Sequence, residues 1–173
     1  MKLEQYELKA EDSLMVFDFA SDGPKGRIPK LVKFSETNLK DLYNLAFGDK
    51  DLGTGEINDL SISNNGDSEK VLATVVATVY AFTDYYPNSF VYATGSTKAR
   101  TRLYRMGITK YLNEITKDFY IYGLRNDEWA QFKLSVGMAV IRLKPLLDFY
   151  LARPINGTAM KIKNSLPLVS TNG

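Results

Sequence analysis

The stretch SEKVLATVVATVYAFTDYYPNSFVYATG, residues 68–95, carries two apolar periods in succession. Val71, Leu72, Val75, Val76, Val79, Tyr80 and Phe82 recur at helical spacing until Tyr86-Pro87, where a proline ends the helix. Asp67 or Ser68 stands where a cap belongs, with Glu69 in the first turn, favoured by the helix dipole. The run SFVYATG is short, largely apolar and bounded by turn residues, the pattern of a buried strand. A helix between two strands predicts a parallel strand–helix–strand unit.

Outward from this unit the chain reads as strands. SLMVFDFAS and RIPKLVKFSE flank the turn-rich DGPKG and predict a β-hairpin closed at Asp22 to Gly26. LYNLAFGD and INDLSIS follow, and INDLSIS is expected to be the parallel neighbour of SFVYATG. A second helix runs from Ser96 to Gly107 with Ala99, Leu103 and Met106 on its apolar face. FYIYGLR and VGMAVIRLK read as two closing strands with NDEWAQFKLS between them. The expected fold is α+β, a mixed and mostly antiparallel sheet with two helices in the order ββββαβαββ.

The 173 residues fit one domain large enough for a real core. The reading places that domain at 1–145 and an extension at 146–173, in which Leu146, Leu147, Phe149, Tyr150 and Leu151 form an apolar cluster that either packs against the protein's own sheet, the plainer outcome for so large a patch, or serves homo-oligomerisation or another protein partner. The amino terminus, MKLEQYELKAEDS, is charged and polar, and no segment approaches the roughly 20 apolar residues that span a bilayer. A cytoplasmic protein without a membrane partner is expected.

There is no cysteine and no histidine, which excludes Ser-His-Asp and Cys-His enzymes. The loop GDKDLGTGE offers oxygen donors without EF-hand spacing, so it reads as a hairpin loop and no metal site is expected. With a formal net charge of only +2, any basic function must come from local clustering.

Such clustering follows the buried strand. Lys98, Arg102 and Arg105 fall at i, i+4 and i+7 and share one helical face, with Arg100 off it. In open α/β sheets the carboxyl ends of parallel strands are where ligands bind. The expected site is therefore an anion-binding notch: Ser63, Asn65 and Gly66 on one side, Thr94, Gly95, Ser96 and Thr97 on the other, with Lys98, Arg100, Arg102 and Arg105 behind. The plain alternative is a solvated basic face, or one paired with the acidic residues between Asp41 and Glu69.

INDLSISNNGDSEKVLATVVATVYAFTDYYPNSFVYATG and STKARTRLYRMGI together resemble the GNAT acetyltransferase superfamily, whose core runs from a long strand through a pyrophosphate-binding loop and helix to a parallel strand and a second helix. The resemblance sets Ser96 at the family's asparagine, Ala99 at its alanine, Tyr104 near the tyrosine general acid and Gly107-Ile108 at the close. It implies acetyl-CoA as cofactor, Tyr104 returning a proton to the thiolate, and Glu56, Asp59 or a water they hold as base. The two helices that follow the family's first strand have no counterpart, because DGPKG leaves room only for a tight turn. DGPKGRIPKLVKF, SNNGD and YATGSTKARTRLYRMGI are also similar to an uncharacterised family of bacterial proteins.

The non-catalytic reading keeps the same basic surface for the phosphates of a nucleotide or nucleic acid, with Arg100, Arg102 and Arg105 as planar donors and Tyr92, Tyr104 or Tyr111 available to stack on bases.

Overall fold

In the computed structural model, residues 4–58, 61, 63–93, 97–125, 128–131 and 149–152 are described. The elements run β1 (Lys9–Ala10), β2 (Val16–Gly23), β3 (Gly26–Glu36), β4 (Leu42–Lys50), β5 (Ile57–Asn58), α1 (Ser68–Tyr85), β6 (Phe90–Ala93), α2 (Lys98–Ile115), β7 (Tyr120–Arg125), β8 (Glu128–Gln131) and β9 (Phe149–Ala152). One mixed sheet has the order β1-β2-β3-β4-β6-β9-β7-β8, with β5 pairing β4 off that path. The fold is α+β, with every pairing antiparallel except β4 with β6.

The expected hairpin is β2–β3, closed by Pro24 and Lys25 between the paired Gly23 and Gly26. Gly26 takes φ +86°, a conformation that costs glycine little. Pro29 lies where β3 pairs with β2 alone, since pairing to β4 begins at Lys30, so its missing N–H removes no bond on the β4 side.

One face of the sheet carries the core. Phe17 and Phe19 of β2, Val32 and Phe34 of β3, Leu45 of β4, Val91 of β6 and Ile121 of β7 join Val71, Val75, Val79 and Phe82 of α1 and Leu112 and Ile115 of α2 in one cluster. Phe34 and Phe82 stack with ring centroids 4.1 Å apart and planes 1° from parallel. On the other face Leu42 packs with Leu39, Phe90, Tyr92 and Tyr122. Helix α1 is rich in β-branched residues and is held by this packing more than by propensity. Its buried threonines satisfy their hydroxyls on the helix carbonyls: Thr74 on Lys70 (2.7 Å), Thr78 on Val75 (2.7 Å) and Thr83 on Val79 (2.8 Å).

Four expectations are corrected. The parallel neighbour of β6 is β4, paired from Leu42↔Phe90 to Leu45↔Ala93, and not the INDLSIS segment. Among the described residues of that segment, Ile57 and Asn58 form a strand, antiparallel to the far end of β4. Helix α2 does not stop at Gly107 but reaches Ile115, because Ile108, Tyr111, Leu112 and Ile115 continue the helical period onto the core. Met106, expected on the apolar face, does not join that stripe: it stands about 200° around the helix from Ile108 and is 60% exposed, while the side chains of Ala99 and Leu103 lie outside the described residues.

Within NDEWAQFKLS, read as a connection, Glu128–Gln131 forms β8 against β7. Phe149, Tyr150 and Leu151 of the apolar cluster belong to β9, whose backbone pairs on one side with β6 and on the other with β7, in keeping with the reading that sets the cluster on the protein's own sheet. The segment from residue 146 onward thus supplies a strand inside the sheet. Leu146, Leu147 and VGMAVIRLK lie outside the described residues. Among the described residues no helix is long and apolar enough to cross a membrane.

Candidate anion-binding site

The segment from Ser61 to Asp67 fastens the sheet to α1. Lys30 and Asp49 are register partners across β3 and β4 and form a buried ion pair. Ser61 and Ser63 donate to the Asp49 carboxylate, the second at 2.7 Å, and the Lys30 ammonium also donates to Ser63 Oγ. Burial pushes the Asp49 carboxyl up, but the bonds from Lys30, Ser61 and Ser63 outweigh it and hold the group below its ordinary value. The residue types are those of a serine–lysine hydrolase. The arrangement is not: the ammonium already donates to Asp49, so it is no base for the Ser63 hydroxyl.

Asn65 is buried and occupied at both ends of its amide. Its Oδ1 accepts from the Lys25 N–H (2.9 Å), and its Nδ2 donates to Ser21 Oγ (3.0 Å) and Gly26 O (2.9 Å). A Cβ at Gly23 would sit 2.0 Å from the Asn65 carbonyl oxygen, so glycine is what lets the hairpin approach this segment. Gly66 takes φ +79° against Pro24. Asp67 sits at the N-cap of α1 without a side-chain capping bond. Its Oδ2 accepts instead from Tyr6 Oη (2.7 Å) and Ser21 Oγ (2.6 Å). Burial first, then the bond to Asp67, raises the Tyr6 hydroxyl's pKa, which keeps it a donor.

Ser63 is thus engaged with the Lys30–Asp49 pair, Asn65 and Gly66 lie against the hairpin turn, and an anion at the start of α1 would face the carboxyl of Asp67. On the opposite side of the expected notch, Thr94, Gly95 and Ser96 lie outside the described residues, as do the side chains of Lys98, Arg100 and Tyr104. Thr97 is exposed ahead of α2. Glu56, the expected base, is exposed in the β4–β5 connection and pairs with Lys33 at 3.0 Å. In the same loop Asp51 Oδ1 accepts from the N–H groups of Gly53 (2.8 Å) and Thr54 (2.9 Å).

What is left of the cationic face is Arg102 and Arg105, one turn apart on α2. Arg102 is exposed; Arg105 is half-buried beside the stripe that meets the core. Its Nε is buried and has no hydrogen-bond partner. Desolvation, and then the charge of Arg102, lower the Arg105 guanidinium's pKa. Neither arginine forms an ion pair with a described residue. Asp49 holds Lys30, Glu56 holds Lys33, and Glu69 at the start of α1 holds Lys110 further along α2. Among the described residues that last bridge joins the acidic region to the basic helix, and it lowers the Glu69 pKa and raises that of Lys110.

Spacing marked Arg102 and Arg105 as cations on one face. It missed that Arg105 lies at the edge of the core, which the apolar run from Ile108 to Ile115 carries in its period. It also missed Lys30 and Asp49, which were legible as the two charged residues at inward positions of alternating strands.

No curated protein and no solved structure matches the chain. The profile of a family of unknown function, DUF6934, matches residues 2–144, and the chain belongs to that family.

Proposed function

We propose that this protein is a binding module for phosphate-bearing ligands, with nucleic acid the class its cationic helix fits, and that it acts without a chemical step of its own. The observation that carries the reading is Arg105, a half-buried guanidinium with a buried, unpartnered Nε beside Arg102, which forms no ion pair with a described residue. Partial burial of a cation without its counter-ion costs free energy that a bound anion offsets, and the planar fork of arginine suits a phosphate bidentately. In the sequence, Lys98 and Arg100 come just before Arg102 in α2, and Thr94, Gly95, Ser96 and Thr97 precede the helix.

The acyltransferase reading has one observation in its favour. Strand β4, helix α1 and the parallel strand β6 follow one another and lead into α2, which is the layout of the GNAT core. Acetyl-CoA would then lie between the two strands, with Tyr104 as acid and Glu56 as base. The ion pair of Glu56 with Lys33 and the carboxyls at the start of α1 weigh against it.

The test is fluorescence anisotropy with a labelled oligonucleotide across a salt series. Affinity should fall with salt, and Arg102→Gln and Arg105→Gln should each weaken binding about tenfold and reduce the slope by about 0.7. Equal binding by the double variant sinks the reading, and salt-insensitive binding of acetyl-CoA would return the acyltransferase in its place.

A further inference from the structure

The flank of α2 that carries the arginines also carries an apolar group. Taking about 100° per residue, Arg105, Thr109, Arg102 and Met106 follow one another around the helix within an arc of about 100° that begins at the edge of the core-facing stripe. Arg102, Thr109 and Met106 are exposed, and Met106 is 60% exposed. It is one of three large apolar side chains exposed among the described residues; the others, Leu52 and Tyr85, lie in the β4–β5 loop and at the end of α1, away from this arc. Across this arc a guanidinium pair and a hydroxyl end in a polarizable thioether on the solvent side.

From this arc we infer that the ligand is a nucleotide with an unpaired base, its phosphate on Arg102 and Arg105 and its base against Met106. The inference rests on the phosphate-binding reading and narrows it. In a duplex the phosphates are presented on the outside while the base faces are stacked away, so a helix flank that grips the backbone has no base face for Met106 to meet. In a single strand the bases splay from the backbone, and a thioether makes favourable contact with an aromatic ring. The arc offers a cationic contact for one phosphate and an apolar contact for one base, which a single strand or a mononucleotide can supply.

The experiment compares a labelled single-stranded RNA with the duplex of the same sequence, using the full chain and the variants Met106→Ser, Arg105→Gln and Arg102→Gln/Arg105→Gln, with unlabelled AMP as competitor. The wild type should prefer the single strand at least about tenfold. Met106→Ser should weaken single-strand binding about two- to tenfold and leave the weaker duplex binding unchanged. Displacement by millimolar AMP assigns the site to a free nucleotide, and failure of AMP to displace assigns it to the strand. Equal or tighter duplex binding, or a Met106→Ser variant that binds the single strand as the wild type does while the arginine variants lose it, overturns this inference alone. Binding untouched by the arginine variants overturns the phosphate-binding reading beneath it.

Discussion

Lys30 and Asp49 oppose each other across β3 and β4 on the face of the sheet that carries the core, and Ser61 and Ser63 close over them from the segment that leads into α1. A buried pair of this kind adds little net stability over an apolar pair but is costly to break, because the survivor is left charged and dry. Asp49→Asn is therefore expected to lower unfolding free energy by about 3–5 kcal/mol, and Lys30→Met/Asp49→Leu to recover most of the loss. Urea denaturation measures both, and a double variant no better than Asp49→Asn would assign the loss to the serines rather than the pair.

The same carboxylate sets an acid limit. Its pKa lies below the ordinary 3.8 in the folded state, so its contribution is complete well above that value and is lost as pH falls through the folded pKa. Wild-type stability should drop more steeply below pH 3.8 than that of Lys30→Met/Asp49→Leu; parallel acid profiles would contradict this.

Gly23→Ala should destabilise by about 2 kcal/mol or more, since the added carbon would sit 2.0 Å from a backbone oxygen of Asn65 that lacks the freedom of a side-chain tip. Gly26→Ala should cost about 1 kcal/mol through its positive φ alone, because nothing lies within 4 Å of its Cβ position. Thermal melts of the two variants would reverse this order if the hairpin turn rather than the Asn65 contact were the constraint.

Arg105→Met should stabilise the free protein by about 1 kcal/mol while weakening anion binding, because it replaces a half-buried guanidinium whose buried Nε lacks a hydrogen-bond partner with an apolar chain of similar course. A lower melting temperature for this variant would mean that Arg105 has a structural partner and is not held for a ligand.

Phe82→Ala should cost about 3–5 kcal/mol, since the ring is fully buried and stacks on Phe34 between α1 and the sheet. A loss under 1 kcal/mol would show that this interface collapses around the cavity.

By itself the sequence determined the local elements. The hairpin around Gly23 and Gly26, the helical period from Val71 to Phe82 with its proline stop, and the short apolar run at Phe90 are written in turn chemistry and periodicity, which act over a few residues. Spacing also set Arg102 and Arg105 on one face. Only the tertiary structure decided which strand lies beside which. Apolar alternation is alike in LYNLAFGD and INDLSIS, and the choice of β4 as the parallel neighbour of β6 depends on long-range packing against α1. For the same reason α2 left Met106 to solvent, since the stripe that meets the core is the one whose later residues, Ile108 to Ile115, join Phe119 and Ile121. The placement of β9 between β6 and β7, from a segment that reads locally as an appendage, rests on backbone pairing with strands nearly thirty and sixty residues away. The fate of each charge was likewise tertiary: Asp49, Glu56 and Glu69 each found a lysine distant in sequence, and Arg105 was left at the edge of the core without a carboxylate among the described residues.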